Sequence, residues 1–282
     1  GGRGGSLMAV VLLVVHEDRP EAVAQADSLA ATLTAQGHSV VRSDAAGFDG
    51  SAPVGDLDLV VSLGGDGSIL RAVHLLDGHR APVLGVNHGE LGYLTAVEPD
   101  DAGAAVGRTL AGDHDIEERM MLRIEVRRAD GTPVIVDHAL NEVVVARTAA
   151  SQTVRLGVSL DGEFLTSYAA DGLIAATPTG STAYAFSARG PIVDPVHRAI
   201  QLTPVSPHML FDRTMVLDPP TEVSMVVLGQ RAATCSVDGR ELVVLGEGDS
   251  VVCTVADRVA RLVTFGPRDF KHLLATKFGL ED

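Results

Sequence analysis

The sequence predicts an α/β domain built on a doubly wound parallel sheet, followed by a β-rich, mainly antiparallel domain. The first 116 residues alternate apolar runs with helical patterns, which is typical of parallel strands joined by crossover helices. After residue 117 the apolar residues recur with period two, and Asp-Gly pairs separate the segments. We therefore expect an α/β domain over 8–116, a β-rich domain over 117–264, and a tail over 265–282 that returns to the first domain.

The first domain is expected to hold a Rossmann-like sheet of four strands. Continuous apolar runs predict buried strands over 9–15, 40–41, 57–63 and 82–86. An alanine-rich pattern predicts a helix over 20–36, and apolar residues three and four apart predict another from Ser68 to about Gly78. Ligands of such sheets bind at the carboxyl ends of the strands, so the loops over 64–67 and 87–94 are candidate site loops.

The second domain is expected to be built from hairpins. Period-two segments flank Asp-Gly pairs at 130–131, 161–162 and 238–239, and Asp-Gly is a strong signal for a tight turn between antiparallel strands. A further strand is predicted over 251–255. The final helical pattern covers 270–278.

Bulk composition excludes several classes of protein. The formal net charge of −15, from 22 basic and 37 acidic residues, argues against nucleic-acid binding. Two cysteines without metal-ligand spacing indicate neither a disulfide framework nor a zinc site, and a reducing cytoplasm is expected. The apolar run over 8–15 is too short to span a membrane. We interpret residues 1–7 as an added leader or a disordered start, with Met8 as the native initiator.

The Gly64-Gly65-Asp66-Gly67-Ser68 stretch is the most informative motif. It joins a buried strand to a helix start, where glycines and free N–H groups favour a phosphate chain. A carboxylate in this turn suggests chemistry, as a base or as a magnesium contact. The alternative is a plain turn in which Asp66 caps the helix. No Gly-Lys-Ser/Thr follows, and Leu70 replaces the third glycine of a dinucleotide fingerprint, so the motif is neither of those phosphate loops.

Two further motifs place polar groups among apolar strand residues. Asn141 and Glu142 interrupt the apolar pattern over 139–145, either as a strand edge or bulge or as a hydrogen-bonding pair for a ribose or amide. An apolar strand over 173–176 ends in the hydroxyl-rich loop Thr177-Pro178-Thr179-Gly180-Ser181-Thr182, and a short helix is predicted over 183–188. Such a loop is suited to a polyhydroxyl or phosphate ligand, although a capped turn is the plainer interpretation. Asp171 precedes this strand and could accept a hydrogen bond from a ribose hydroxyl or an amide N–H.

Taken in order along the chain, these motifs resemble those of bacterial NAD kinases. The resemblance rests on 64–68, on 85–94, on Asn141-Glu142, and on 171–172 with 177–184. It implies phosphorylation of the 2′-hydroxyl of the adenosine ribose of NAD, or of NADH, with ATP or polyphosphate as the donor and Mg²⁺ or another divalent metal brought with it. It also implies a cytoplasmic homodimer or homotetramer.

The resemblance also implies roles for individual residues. Asp66 would be the general base, and a positioned base typically contributes about 10²–10⁴ in rate. Gly67 would let the substrate lie close to the turn, and Arg71 would contact phosphate. Asn141 and Glu142 would bind the ribose, and Asp171 the nicotinamide side. The remaining residues implied to line the site are Asn87, Tyr93, Thr179, Thr182, Ala183, Tyr184 and Ser187.

Three departures from the family pattern leave donor choice and NAD or NADH preference open. Arg189 stands where the family usually has Gly, Ala169 and Gln152 stand where some relatives carry basic residues, and Arg240 replaces a frequent Gln. Two other functions compete with the kinase. A lipid kinase of the diacylglycerol or sphingosine type shares Gly-Gly-Asp-Gly, but that group lacks the loop pattern of 177–184 and would need an exposed apolar route for a lipid tail. A non-catalytic dinucleotide sensor would gain nothing from a carboxylate beside phosphates.

Overall fold

The computed structural model describes residues 8–44, 57–149 and 152–280 and divides into two compact units. The first unit contains the described residues up to Glu118 together with those from Ala260 onward, and the second runs from Arg119 to Val259. Residues 1–7, interpreted above as a leader or disordered start, and residues 281–282 of the predicted tail lie outside the described residues.

The first unit alternates strands and helices, as predicted. Its strands are β1 (Val10–Val15), β2 (Ser39–Asp44), β3 (Leu59–Gly64) and β4 (Val83–Asn87). Its helices are α1 (Pro20–Ala35), α2 (Asp66–Leu76), α3 (Ala102–Leu110) after a 3₁₀ turn (Pro99–Asp101), and, from the tail, α5 (Phe270–Phe278).

The strands of this unit pair in parallel in the order β2-β1-β3-β4, which confirms the predicted doubly wound sheet. The last part of a long strand from the second unit, β16 (Ser250–Thr264), adds to it in parallel, with Leu262 opposite Val83. At the carboxyl edge Gly64 pairs with Asn87, so the ends of β3 and β4 lie side by side. Two candidate site loops therefore start from neighbouring strands.

The second unit is almost entirely antiparallel sheet. Its remaining elements are β5 (Asp115–Arg127), which starts in the first unit, β6 (Pro133–Ala139), β7 (Glu142–Arg147), β8 (Val154–Leu160), β9 (Glu163–Ala170), β10 (Gly172–Ala176), a 3₁₀ turn (Thr179–Thr182), α4 (Tyr184–Ser187), β11 (Ile200–Val205), β12 (Met215–Leu217), β13 (Val223–Val227), β14 (Ala233–Val237) and β15 (Arg240–Leu245). One array has the order β12-β11-β10-β7-β14-β15, and another has the order β16-β13-β8-β9.

All three predicted hairpins are present. β5 pairs with β6, β8 with β9, and β14 with β15, each antiparallel. Asp161 and Asp238 adopt positive φ angles of 51° and 46°, and the following glycines do so as well, as a tight turn of the type I′ class requires. The apolar faces of these strands contribute to one buried cluster that includes Leu122, Tyr168 and Cys235.

The apolar pattern over 139–145 is not one strand. β6 ends at Ala139 and β7 begins at Glu142, and the two strands belong to different sheets. Leu140 and Asn141 therefore form the connection at which the chain changes sheet, and the expectation of a bulge or an edge within a single strand is wrong. The predicted strand over 251–255 is likewise only part of β16.

Candidate nucleotide site

Asp66 is the first residue of α2, directly after the N-cap residue Gly65. The predicted helix start at Ser68 is therefore two residues too late, and the interpretation of Asp66 as an N-cap is wrong. Its carboxylate instead accepts two backbone N–H groups from the motif over 85–94. Tyr93 donates to Oδ2 at 2.7 Å, and Leu94 donates to Oδ1 at 2.9 Å. Two motifs that are separate in sequence thus meet at one carboxylate.

Gly92 lets this segment approach Asp66. A Cβ atom at Gly92 would lie 2.4 Å from Asp66 Oδ1 and 2.6 Å from Thr95 Oγ1, both far inside contact distance. Glycine is therefore required here for close approach rather than for an unusual φ angle.

A cavity of about 380 Å³ opens beside the start of α2. Its lining combines the Gly-Gly-Asp-Gly-Ser loop with cations and consists of His16, Asp18, Arg19, Gly65, Gly67, Ser68 and Arg71. The free N–H groups of a helix start favour anions, and two guanidinium groups add charge. Ser68 Oγ is buried and has no hydrogen-bond partner among the described residues. This cavity is chemically suited to phosphate groups.

Two further predicted residues, Asn87 and Tyr93, belong to the same unit. Asn87 is buried at the end of β4, and its Oδ1 has no hydrogen-bond partner among the described residues. The ring of Tyr93 lies under Lys277, whose Nζ is 4.4 Å from the ring centroid. Burial, and then the charge of Asp66, raise the pKa of the Tyr93 phenol. Sequence analysis did not single out Lys277, because its partner is remote in the chain.

In the second unit, Asp238 organises the Asn141-Glu142 motif. Its Oδ2 accepts the N–H of Leu140 at 2.7 Å, and its Oδ1 accepts those of Asn141 at 2.9 Å and Glu142 at 3.0 Å. The Asp-Gly pair accounts for Asp238 as a hairpin residue. The sequence therefore does not indicate that its carboxylate also binds the backbone of the Asn141-Glu142 motif.

Glu142 is buried, and the structure raises its proton affinity. Burial, and then the nearby charge of Asp238, raise the pKa of Glu142 to about 8, although a backbone hydrogen bond from Tyr184 opposes the shift. Its Oε2 has no hydrogen-bond partner among the described residues. Burial likewise raises the pKa of Asp238 to about 6, against the three N–H groups that lower it. Glu142 thus offers a buried, unpaired oxygen to a hydroxyl group.

The hydroxyl-rich loop packs directly on this motif. Thr177 Oγ1 donates to the carbonyl of Leu140 at 2.6 Å and accepts the N–H of Gly180 at 3.1 Å. The N–H of Thr177 donates to the carbonyl of Asn141 at 2.8 Å. A Cβ atom at Gly180 would lie 2.2 Å from that carbonyl oxygen, so only glycine permits this packing. The structure therefore brings the third and fourth motifs together.

The predicted site residues of this loop differ in exposure. Thr179 is buried, and its Oγ1 accepts a hydrogen bond from Arg119 at 3.1 Å. The sequence analysis does not identify Arg119 as a site residue. A charged residue next to the apolar Met120 and Met121 in a strand pattern could have indicated it. Thr182 and Ala183 are half-buried, whereas Tyr184 and Ser187 are exposed. These last two line a cavity of about 610 Å³ together with Arg189.

Asp171 and Arg240 each pair with a residue of opposite charge, and Arg189 has an unusual backbone conformation. Asp171 Oδ1 pairs with Arg147 Nε at 2.9 Å, so this carboxylate is not a free acceptor. Arg240 pairs with Asp137 at 2.7 Å. Arg189 adopts a φ of 65°, in the left-handed region where glycine is favoured.

Comparison with known proteins assigns the family. The model of the ATP-NAD kinase N-terminal domain matches residues 52–114, and that of the C-terminal domain matches residues 140–265. An NAD kinase of Heliobacterium modesticaldum is 39% identical over 279 residues, which are 96% of this chain and 98% of that protein. This chain belongs to the NAD kinase family. It is therefore a phosphotransferase, and the resemblance inferred from the four motifs is confirmed.

Two solved structures share this fold. Yeast NADH kinase, solved with NADH, aligns with a TM-score of 0.89 at 23% identity, over 98% of this chain and 88% of that chain. An NAD kinase from Archaeoglobus fulgidus, solved with ATP, aligns with a TM-score of 0.72 at 24% identity, over 96% of this chain and 98% of that chain. Within the described part of this family member, no helix is long and apolar enough to cross a membrane.

A resident metal site does not fit the described residues. Among residues 8–44, 57–149 and 152–280, no three His, Cys, Asp or Glu side chains are grouped so that they could hold a metal ion. We propose that Mg²⁺ or another divalent metal enters with the phosphoryl donor.

Proposed function

We propose that this chain transfers the γ-phosphoryl group of ATP to the 2′-hydroxyl of the adenosine ribose of NAD, with Asp66 as the general base. The observation that carries the proposal is the fixed carboxylate at the start of α2. Two N–H groups orient it, and each carboxylate oxygen keeps a further lone pair for a ribose hydroxyl. A base held in place in this way raises the nucleophilicity of a hydroxyl that is otherwise poorly reactive at neutral pH.

The proposed donor site is the cavity beside α2. Arg19, Arg71 and the helix N–H groups would bind the phosphates, and Ser68 Oγ would gain a hydrogen-bond partner. Inorganic polyphosphate presents the same chemistry as a triphosphate chain, so the cavity supports it as an alternative donor.

The proposed acceptor site is the Asn141-Glu142 motif with the loop that packs on it. Glu142 Oε2 would accept a ribose hydroxyl, since this buried oxygen has no partner among the described residues. Thr179, Thr182, Ala183, Tyr184 and Ser187 would complete the pocket, and Asp171 would reach the nicotinamide side with Arg147 beside it. We further propose that the protein works in the cytoplasm as a homodimer or homotetramer.

The test is NADP formation by the purified protein, with NAD or NADH as acceptor and ATP with Mg²⁺, or polyphosphate, as donor. Asp66→Asn should lower the rate by about 10²–10⁴ while NAD binding, measured by calorimetry, persists. Because the new amide group would face an N–H donor, the fold of this variant is checked by its melting temperature. Asp100→Asn, at an exposed position, is the matched control.

If Asp66→Asn forms NADP at the unaltered rate, Asp66 is not the base. If the unaltered protein binds NAD and forms no NADP with either donor, the chain is the non-catalytic sensor. Membership of the NAD kinase family already sets the lipid kinase alternative aside.

A further inference from the structure

The peptide group between Tyr93 and Leu94 connects a cation to the proposed base. Its N–H donates to Asp66 Oδ1 at 2.9 Å, and its carbonyl accepts a hydrogen bond from Arg268 Nη1 at 2.7 Å. A peptide group is planar and rigid, so both hydrogen bonds fix the orientation of one unit. The guanidinium is therefore linked to the carboxylate through a single amide.

Arg268 makes further contacts with the same segment. Its Nη2 donates to the carbonyl of Leu94 at 3.1 Å and to that of Thr95 at 3.4 Å. Its side chain is only 14% exposed, and Glu117 lies 3.9 Å from Nη1. Three consecutive carbonyls thus accept hydrogen bonds from one half-buried guanidinium, whose planar fork suits several acceptors at once.

The position of Arg268 is fixed by the start of α5. The next residue, Asp269, is the N-cap, and its side chain accepts the N–H of His272 at 2.9 Å. Lys277, two turns further along α5, lies over the ring of Tyr93. The C-terminal segment therefore contacts the segment that holds Asp66 at two independent points.

We propose that Arg268 is a positioning residue for Asp66 and acts through the peptide group that joins Tyr93 to Leu94. This inference rests on the proposed function. A charged donor at the carbonyl polarises the amide and strengthens the N–H bond at its other end. Without Arg268, three carbonyls lose their donor, and the two N–H groups that orient the carboxylate are free to shift. Misplacement of a catalytic group by about 1 Å can lower the rate by about 10²-fold.

The experiment compares three variants with the unaltered protein. Arg268→Met removes the donors and keeps an apolar stem, and Arg268→Lys keeps the charge without the fork. Arg261→Met is the matched control, because Arg261 also donates to a backbone carbonyl of the same unit, that of Arg80 at 2.7 Å. We expect Arg268→Met to lower kcat by about 10- to 100-fold with KM for NAD within about twofold, Arg268→Lys to recover part of kcat, and Arg261→Met to leave kcat unchanged.

A double-mutant cycle separates this inference from the proposed function. If Arg268 acts through Asp66, adding Arg268→Met to Asp66→Asn should cause little further loss of kcat. Additive losses would overturn the positioning role and leave Asp66 as the base. An unchanged kcat in Arg268→Met, or a rise in KM alone, would overturn it as well. If Asp66→Asn retains full activity, Asp66 is not the base, and that part of the proposed function fails whatever the result for Arg268.

Discussion

Asp238 Oδ1 lies 3.0 Å from the backbone nitrogen of Glu142 and accepts its N–H, so a hairpin residue fixes the start of a strand nearly a hundred residues earlier. The same carboxylate holds Leu140 and Asn141, the residues at which the chain passes from one sheet to the other. The orientation of Glu142, and with it the proposed ribose site, therefore depends on a turn outside the motif.

Asp238→Asn should destabilise the protein by about 1–3 kcal/mol. Its amide oxygen can still accept two N–H groups, but its NH₂ group would face the N–H of Leu140 and leave that donor unpaired. The left-handed backbone at Asp238 tolerates Asn, so the turn itself is not strained. Urea denaturation gives the free energy of unfolding. Asp161→Asn is the control, since Asp161 has the same turn and its side chain accepts one N–H, that of Glu222, among the described residues. Equal losses in both variants would contradict this account.

Glu142 should make stability fall as the pH rises. Its pKa is raised by burial from 4.5 to about 8, so between these values the folded state keeps a proton that the unfolded state releases. The stabilisation is complete below the unfolded pKa and is lost as pH rises through the folded pKa, by at most about 1.4 kcal/mol per pH unit.

The measurement is the free energy of unfolding in urea between pH 5 and 8. Glu142→Gln should flatten its decline with pH, because the amide carries no proton to release. Glu163→Gln, at an exposed hairpin position, should keep the slope of the unaltered protein. Equal slopes for all three proteins would show that Glu142 ionises as freely in the folded state as in the unfolded chain.

Gly92→Ala should abolish most of the activity. The new methyl group would lie 2.4 Å from Asp66 Oδ1, so either the carboxylate rotates away or the 92–95 segment retreats. We expect a loss of about 10²-fold or more in kcat. Gly103→Ala adds the same methyl group in α3, where nothing lies within 4 Å, and should leave kcat unchanged. Full activity in Gly92→Ala would mean that the contact with Asp66 is not needed.

Arg189→Gly should stabilise the protein by up to about 1 kcal/mol. The left-handed backbone at Arg189 costs a non-glycine residue about 1–2 kcal/mol, partly offset by the larger chain entropy that glycine loses on folding. The melting temperature reports the change. Arg213→Gly, at an exposed position that also lines the 610 Å³ cavity, lacks this backbone conformation and should not raise it.

Local patterns predicted most of the fold. The hairpins depend on adjacent Asp-Gly pairs, and α5 was predicted over 270–278 because its apolar spacing is contained within the helix. The order of the four motifs also sufficed to indicate the family. Each of these signals is carried by residues close together in the chain.

Contacts between distant residues were not predictable in the same way. Arg268 and Tyr93 are 175 residues apart, and Asp238 and Leu140 are 98 apart, so no periodicity connects them. The change of sheet at Leu140-Asn141 was hidden because two polar residues in an apolar run look like an interrupted strand. The sequence predicts Asp66 in the turn before the helix, and it does not indicate that the Asp66 carboxylate accepts the N–H groups of Tyr93 and Leu94, which are distant in the chain.

The path of β16 has a consequence for synthesis on the ribosome. Leu262 completes the sheet of the first unit beside Val83, yet it emerges from the exit tunnel after the whole second unit has been made. Until then the start of β4 around Val83 has a strand on one side only, and an open edge invites pairing with other nascent chains. The second unit is one unbroken stretch and can fold during translation, whereas the first must wait for its final strand.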